Sequence, residues 1–472
     1  MNNAPSNQLS LFGFLMITSS MVVSLYTYPT FATSGFAAVF FLFAAGFLWF
    51  IPVCLVAAEL GTGGNGWSDS GVFSWGKAAF GPRWGFCMIF SQWFEILLGF
   101  IPMLYFVSNG LGYTFDIADF QNPTLIQLIL TLVIFWGITF ANFFGTKVTK
   151  FIATYSFFIG IVFPMIVLII LGILYILDGN SIQIKFTESK FFPNFSTITS
   201  LVVLVSFVLS YMGAEASAVH VNSLKNPGRD YPLATLILVI MTIIIGSSTS
   251  LTIAMIIPHD KISLSAGIFE AFKFLFEYHN IMWLFYPFAF IVSISAIGKI
   301  SSWINGPVNG MKSTAKLGII PEYFAKINSH EMPVRLIVLQ GAIVSFWLAL
   351  VTSAGVLTHS EDMAFFTAMT LTVIIYLTMY MLLFASYIYL KITVPHSVNP
   401  RKFNMPSSVG ISLSAIGLLS TFIAFCVSFA RPSTVKKEVY TDYLVALIVC
   451  YVITMIIPHV IYSISKFHKQ KS

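Results

Sequence analysis

Four ionisable side chains stand inside long apolar stretches: Glu59, Glu95, Glu215 and Lys299. A charge held in hydrocarbon costs several kcal/mol unless it is paired or used, so each is a candidate for ion pairing, substrate recognition or proton coupling. Glu59 falls at the end of its apolar run, where it reaches water and fits a structural or gating pair. Glu95 and Lys299 carry opposite charge and are expected to satisfy each other as an ion pair. Lys299 has two further readings, a direct contact for an acidic substrate and a titrating element of proton coupling. Lys299 and Trp303 are four residues apart and share a helix face, as do Tyr376 and Tyr380.

Two runs invite a break in the helix. ITSSMVVSLYTYPTFATSG sets Val22, Val23 and Ser24 ahead of Tyr26 and Pro29; VLSYMGAEASAVHVN sets Tyr211 and Gly213 ahead of Glu215. Backbone left unpaired at membrane depth is tolerated only where it lines a cavity or is buried in protein. Exposed amides at one half-helix end bind a carboxylate, and carbonyls at the other take an ammonium. A zwitterionic amino acid fits both poles. Small residues packing helix on helix are the plainer explanation of such runs, but interrupted spans in matching places of two repeats mark a transporter's binding site.

The elements that must position these residues are membrane helices. Of 472 residues, 57% are apolar and 9% charged, against about 25% charged in a soluble domain; the mean hydropathy is +0.87. Apolar runs and Gly, Pro and charge punctuation predict twelve spans, near 11–33, 36–60, 84–112, 123–145, 149–177, 197–221, 231–257, 281–311, 333–357, 361–390, 408–430 and 439–465. A short helix is expected at 262–278 in an external loop. The connections are too short for a soluble domain.

Most of the 24 basic residues, Lys77, Arg83, Lys147, Lys225, Arg229, Lys312, Arg335, Lys391 and Arg401 among them, fall in alternate connections; Asp116, Asp119, Asp178, Glu188, Asp260 and Glu277 fall in the others. That asymmetry predicts both termini in the cytoplasm and accounts for the net charge of +6 without nucleic acid. The N-terminus has no basic residue before its first apolar run, so that run is expected to be a retained helix, not a signal peptide. Cys54, Cys87, Cys426 and Cys450 all lie in apolar runs and are expected to be buried small hydrophobes rather than disulfides. No metal-type His/Cys cluster, phosphate-cradling loop or nucleophile–His arrangement is present, so no cofactor, metal site or catalytic residue is expected. His220 reads as a structural hydrogen bonder, and NPGRDYP at Asn226–Pro232 as an ordered cytoplasmic turn in which Arg229 pairs with Asp230.

Several motifs resemble the glutamate/γ-aminobutyrate antiporter family of the amino acid–polyamine–organocation superfamily: SMVVSLYTYPTFATSGF, FLWFIPVCLVAAE, GPRWGF, GFIPMLYF, SYMGAEASAVHVN, NPGRDYPLA and AMTLTVIIYL. The likeness runs from about residue 8 to about residue 465. It implies an all-α, LeuT-like fold of two inverted five-helix repeats plus two peripheral helices, with helices 1 and 6 discontinuous. On that reading residues 1–392 form the transport core, and 393–472 the peripheral pair and a short cytoplasmic tail. It implies exchange of amino acids by alternating access in the inner (cytoplasmic) membrane, with a monomer sufficient. By motif match, substrate contacts fall on Tyr26, Trp303, Tyr376 and Tyr380, with the breaks supplying Val22, Val23, Ser24, Tyr211 and Gly213. Glu215, Glu95 and Lys299 are then gating or coupling residues.

The sequence departs from the family twice. Where the family's best-known member has a glutamate, this chain has Lys299; where that member has an uncharged amide, it has Glu95. The substrate pair is therefore not inherited outright, and a different amino-acid pair, a proton-coupled permease or a transport-dead sensor stay open. Only SKFHKQKS follows the last apolar run, so no C-terminal plug is expected.

Overall fold

The computed structural model describes residues 10–193, 204–358, 361–431 and 440–471. Among them are eleven helices long and apolar enough to cross a membrane, and no β-strand. The helices used below are α1 (Leu11–Val22), α2 (Tyr28–Ala32), α3 (Ala37–Ala45), α4 (Ile51–Gly61), α5 (Val72–Phe80), α6 (Pro82–Phe115), α7 (Leu125–Asn142), α8 (Thr146–Phe157), α9 (Phe163–Leu177) and α10 (Leu204–Tyr211). They continue with α11 (Pro227–Ile256), α12 (Gly267–Tyr278), α13 (Phe285–Lys316), α14 (Val334–Thr358), α15 (Glu361–Thr393), α16 (Ser407–Val427) and α17 (Tyr440–Lys471). The expected spans fall on these helices within a few residues. The expected sixth span, 197–221, is not one continuous helix, and its first residues lie outside the described ones.

α6 is the axle of the bundle. The apolar window of this helix is wholly buried, and it packs along α13, α15 and α5. α7 is amphipathic in the membrane sense: Leu125, Ile129, Val133 and Phe140 are exposed on one face, while Gln127, Thr131, Phe135 and Ile138 are buried on the other. In hydrocarbon an exposed leucine costs nothing, so polar groups turn inward and satisfy one another. α16 and α17 are the most exposed of the candidate spans.

Backbone breaks follow local chemistry. The first span stops at Val22; Val23 and Ser24 are extended, and a 3-10 turn at Leu25–Thr27 leads into α2. Pro29 stands in the first turn of α2. There its missing N–H costs nothing, so it restarts the helix and does not itself break it. The expected helix near 262–278 is α12, with Ile268, Phe269, Phe272, Leu275 and Phe276 buried.

The connection after α4 holds the short helix α5, whose Val72, Phe73 and Trp75 bury one side against α6. Two expectations are corrected. NPGRDYP is the beginning of α11, with Asn226 as its N-cap residue; Asp230 accepts from the Asn226 amide at 3.3 Å and forms no ion pair with Arg229. The four cysteines are free, and Cys54 and Cys87 are buried, but Cys450 is only partly buried and Cys426 is exposed on an apolar helix.

Candidate substrate site

The break after α1 releases carbonyls that the helix itself cannot pair, and α13 pairs them. Trp303 Nε1 donates to Met21 O at 3.0 Å, and Lys299 Nζ donates to Val22 O at 3.2 Å and to Ser24 Oγ. A cation at the carbonyl end of a helix is also favoured by the macrodipole. Lys299 further lies 5.5 Å from the ring centre of Tyr26. Three expected site residues of the first span, Val22, Ser24 and Tyr26, are thus gathered around Lys299 of the eighth, with Val23 in the extended stretch between them.

The second break is made by Gly213, whose φ is +111°. L-residues rarely adopt that conformation. A Cβ there would also lie 2.5 Å from Cζ2 of Trp303, so the tryptophan ring packs directly on the turn. Beyond it, Glu215–Ser223 continues as a 3-10 helix. The side chain of His220 lies outside the described residues.

Glu215 is fully buried and clamped. Its Oε1 accepts from Tyr376 OH and from Gln92 Nε2 at 2.9 Å, and its Oε2 from Tyr380 OH at 2.5 Å. Tyr380 OH accepts in turn from the Gly213 amide at 3.3 Å. Tyr376 and Tyr380 therefore face Glu215 and do not line the cavity described next. Gln92 was missed in the sequence; it precedes Glu95 by three residues on the same helix face, which is the signal that would have found it.

Between α1, α6, α13 and α15 lies a cavity walled by Tyr26, Glu95, Gly99, Met103, Lys299, Trp303 and Thr372. Its volume is about 20 Å³, room for about one water molecule. The bundle is therefore closely packed around the site. The Glu95–Lys299 ion pair does not form: Lys299 directs two of its three N–H donors to the α1 break, and Glu95 Oε1 is buried with no hydrogen-bond partner. Tyr211 is turned away from the cavity. Its hydroxyl donates to Leu42 O at 2.9 Å and its ring packs on Phe50, fastening α10 to the second span.

Glu59 does form a structural knot, but not one that touches water. It is 0% exposed, with Lys391 at 2.5 Å and Arg401 at 3.0 Å on Oε1, and Tyr387 OH at 2.7 Å and the Met405 amide at 3.1 Å on Oε2. These are the two ion pairs among the described residues. The strand-like contact of Gly63 with Arg401 holds the same connection against the end of α4.

The sequence profile of the amino acid permease family matches residues 9–458. The chain belongs to that family. The permease is 41% identical over 464 residues to a glutamate/γ-aminobutyrate antiporter of Lactococcus lactis subsp. lactis, covering 97% of this chain and 90% of that one. It is 31% identical over 444 residues to an uncharacterised transporter of Legionella pneumophila, covering 93% of each. With a probable agmatine/putrescine antiporter of Lactococcus lactis it shares 23% identity, over 84% of this permease and 82% of that chain. Family and fold agree: the two interrupted helices meet at one buried, charged cavity.

Proposed function

We propose that this permease is an amino-acid antiporter of the glutamate/γ-aminobutyrate type, exchanging one small zwitterion for another across the cytoplasmic membrane by alternating access. The observation that carries the reading is the convergence of both helix breaks on a cavity lined by one acidic and one basic side chain, Glu95 and Lys299. Likeness to the Lactococcus antiporters over 97% of the chain supports the substrate class. Residues 1–392 act as the inverted-repeat core and 393–472 as the peripheral pair, with both termini cytoplasmic and the monomer as transport unit. Substrate meets Tyr26, Trp303 and the backbone at Val22–Ser24 and Gly213. Glu215, held by Tyr376 and Tyr380, couples the sixth-helix break to the tenth helix and works as gate rather than contact.

Exchange of two organic dications, suggested by the agmatine/putrescine relative, is disfavoured by Lys299, whose charge would repel a diamine in a low-dielectric site. The test is reconstitution in liposomes with labelled glutamate outside and single amino acids inside, at about pH 5.5 and about pH 7.5. Uptake that depends on internal γ-aminobutyrate or glutamate supports the reading. Uptake indifferent to internal amino acid, or absent, refutes it.

A further inference from the structure

We infer that Glu95 is the ammonium-recognising pole of the cavity and selects amine-bearing substrates over dicarboxylates of the same length. This rests on the cavity being the transport site. Glu95 is 2% exposed, yet its Oε1 meets no donor, although it stands in the wall of a polar cavity. A buried acceptor left without a donor is unfavourable, and more so when charged. The neighbouring cation that could cancel it, Lys299, is instead tied to Val22 O and Ser24 Oγ.

Lysine has three N–H donors, so one remains for a ligand after those two bonds. The cavity thus offers one spare donor on a cation and one spare acceptor on an anion, facing a common space beside Tyr26 and Trp303. A ligand with an ammonium and a carboxylate completes both; a dicarboxylate completes only Lys299 and sets like charge against Glu95. γ-Aminobutyrate and glutamate carry the required pair. Glutarate, with two carboxyls and no amine, does not.

The experiment is ligand titration of the purified full-length protein in detergent or nanodiscs, read by intrinsic tryptophan fluorescence and by displacement of labelled glutamate. Wild type, Glu95→Gln and Glu95→Asp are each titrated with γ-aminobutyrate, glutamate and glutarate. Glutamine keeps the shape and removes the charge. It is expected to weaken both amino acids roughly tenfold or more while leaving glutarate unchanged or tighter. Aspartate keeps the charge and should preserve the order of preference.

Wild-type-like affinity for γ-aminobutyrate in Glu95→Gln would overturn the assignment. So would equal loss of all three ligands in both variants, since that marks packing and not charge, and so would a wild type that prefers glutarate. Glu95-dependent binding without liposome exchange would refute the antiporter reading and leave the ammonium pole standing.

Discussion

Trp303 and Gly213 are locked face to turn. The indole of α13 lies so close to the sixth-helix break that any side chain at 213 would enter its ring, while its own Nε1 is bonded to Met21 at the first-helix break. One tryptophan therefore ties together the two helix breaks. Gly213→Ala combines a Cβ at 2.5 Å from that ring with a φ of +111°. Backbone strain of this kind costs roughly 1–3 kcal/mol. The variant is expected to lose exchange and to melt earlier. Wild-type exchange rates would show that the contact is not maintained in the working protein.

The Glu215 clamp makes an ordered prediction. Tyr376→Phe removes one donor from Oε1, but Gln92 still serves that atom; Tyr380→Phe leaves Oε2 without a donor and frees the Gly213 amide. Hydrogen bonds to charged groups contribute about 1.5–3 kcal/mol each, and an orphaned acceptor costs more than a shared one. Tyr380→Phe should therefore lower the melting midpoint and the exchange rate more than Tyr376→Phe. The reverse order in a paired thermal-melt and flux measurement would contradict the geometry.

How much of this was legible in the sequence depends on range. Pro29, Gly213 and the small residues around them announce two interruptions because local chemistry decides where a helix can stop. The identity of partners is another matter. Tyr211 sits two residues before the break and reads as a site residue, yet helix rotation turns it to Leu42, and nothing in a single sequence fixes that rotation. Glu95 and Lys299 read as a pair because opposite charges in apolar runs should meet. What intervenes is backbone: the carbonyl and hydroxyl freed at Val22 and Ser24 compete for the ammonium and win. Lys391 lies 332 residues from Glu59, at the end of its apolar run, where a loop charge and a buried partner look alike.

The Glu59 knot is a stability prediction. Glu59→Ala leaves the buried cations Lys391 and Arg401 uncompensated and unpairs the Met405 amide. Breaking a buried ion pair from one side costs roughly 3–5 kcal/mol. Glu59→Ala should fall sharply in melting midpoint, and Glu59→Ala combined with Lys391→Met and Arg401→Met should recover part of the loss. If the triple variant is worse than the single one, the cations have partners more important than Glu59.

Lys299 decides the sign of the cavity. With Lys299→Met the apolar stem is kept, but Ser24 Oγ loses its donor, Val22 O keeps only the Ser24 hydroxyl at 3.2 Å, and Glu95 becomes the only charge in the cavity wall. A site with one net negative charge favours cations over zwitterions, since the substrate carboxylate now meets repulsion instead of a donor. γ-Aminobutyrate should bind roughly tenfold more weakly, the scale of one lost charge-assisted bond, while putrescine, disfavoured in the wild type, should gain. Ser24→Ala removes one of the two tethers and leaves the charge, so it should cost less than Lys299→Met and leave putrescine excluded. Titration of all three proteins with both ligands separates charge from tethering. A Lys299→Met protein that still rejects putrescine would mean that shape, set by Tyr26 and Trp303, and not Lys299, keeps diamines out.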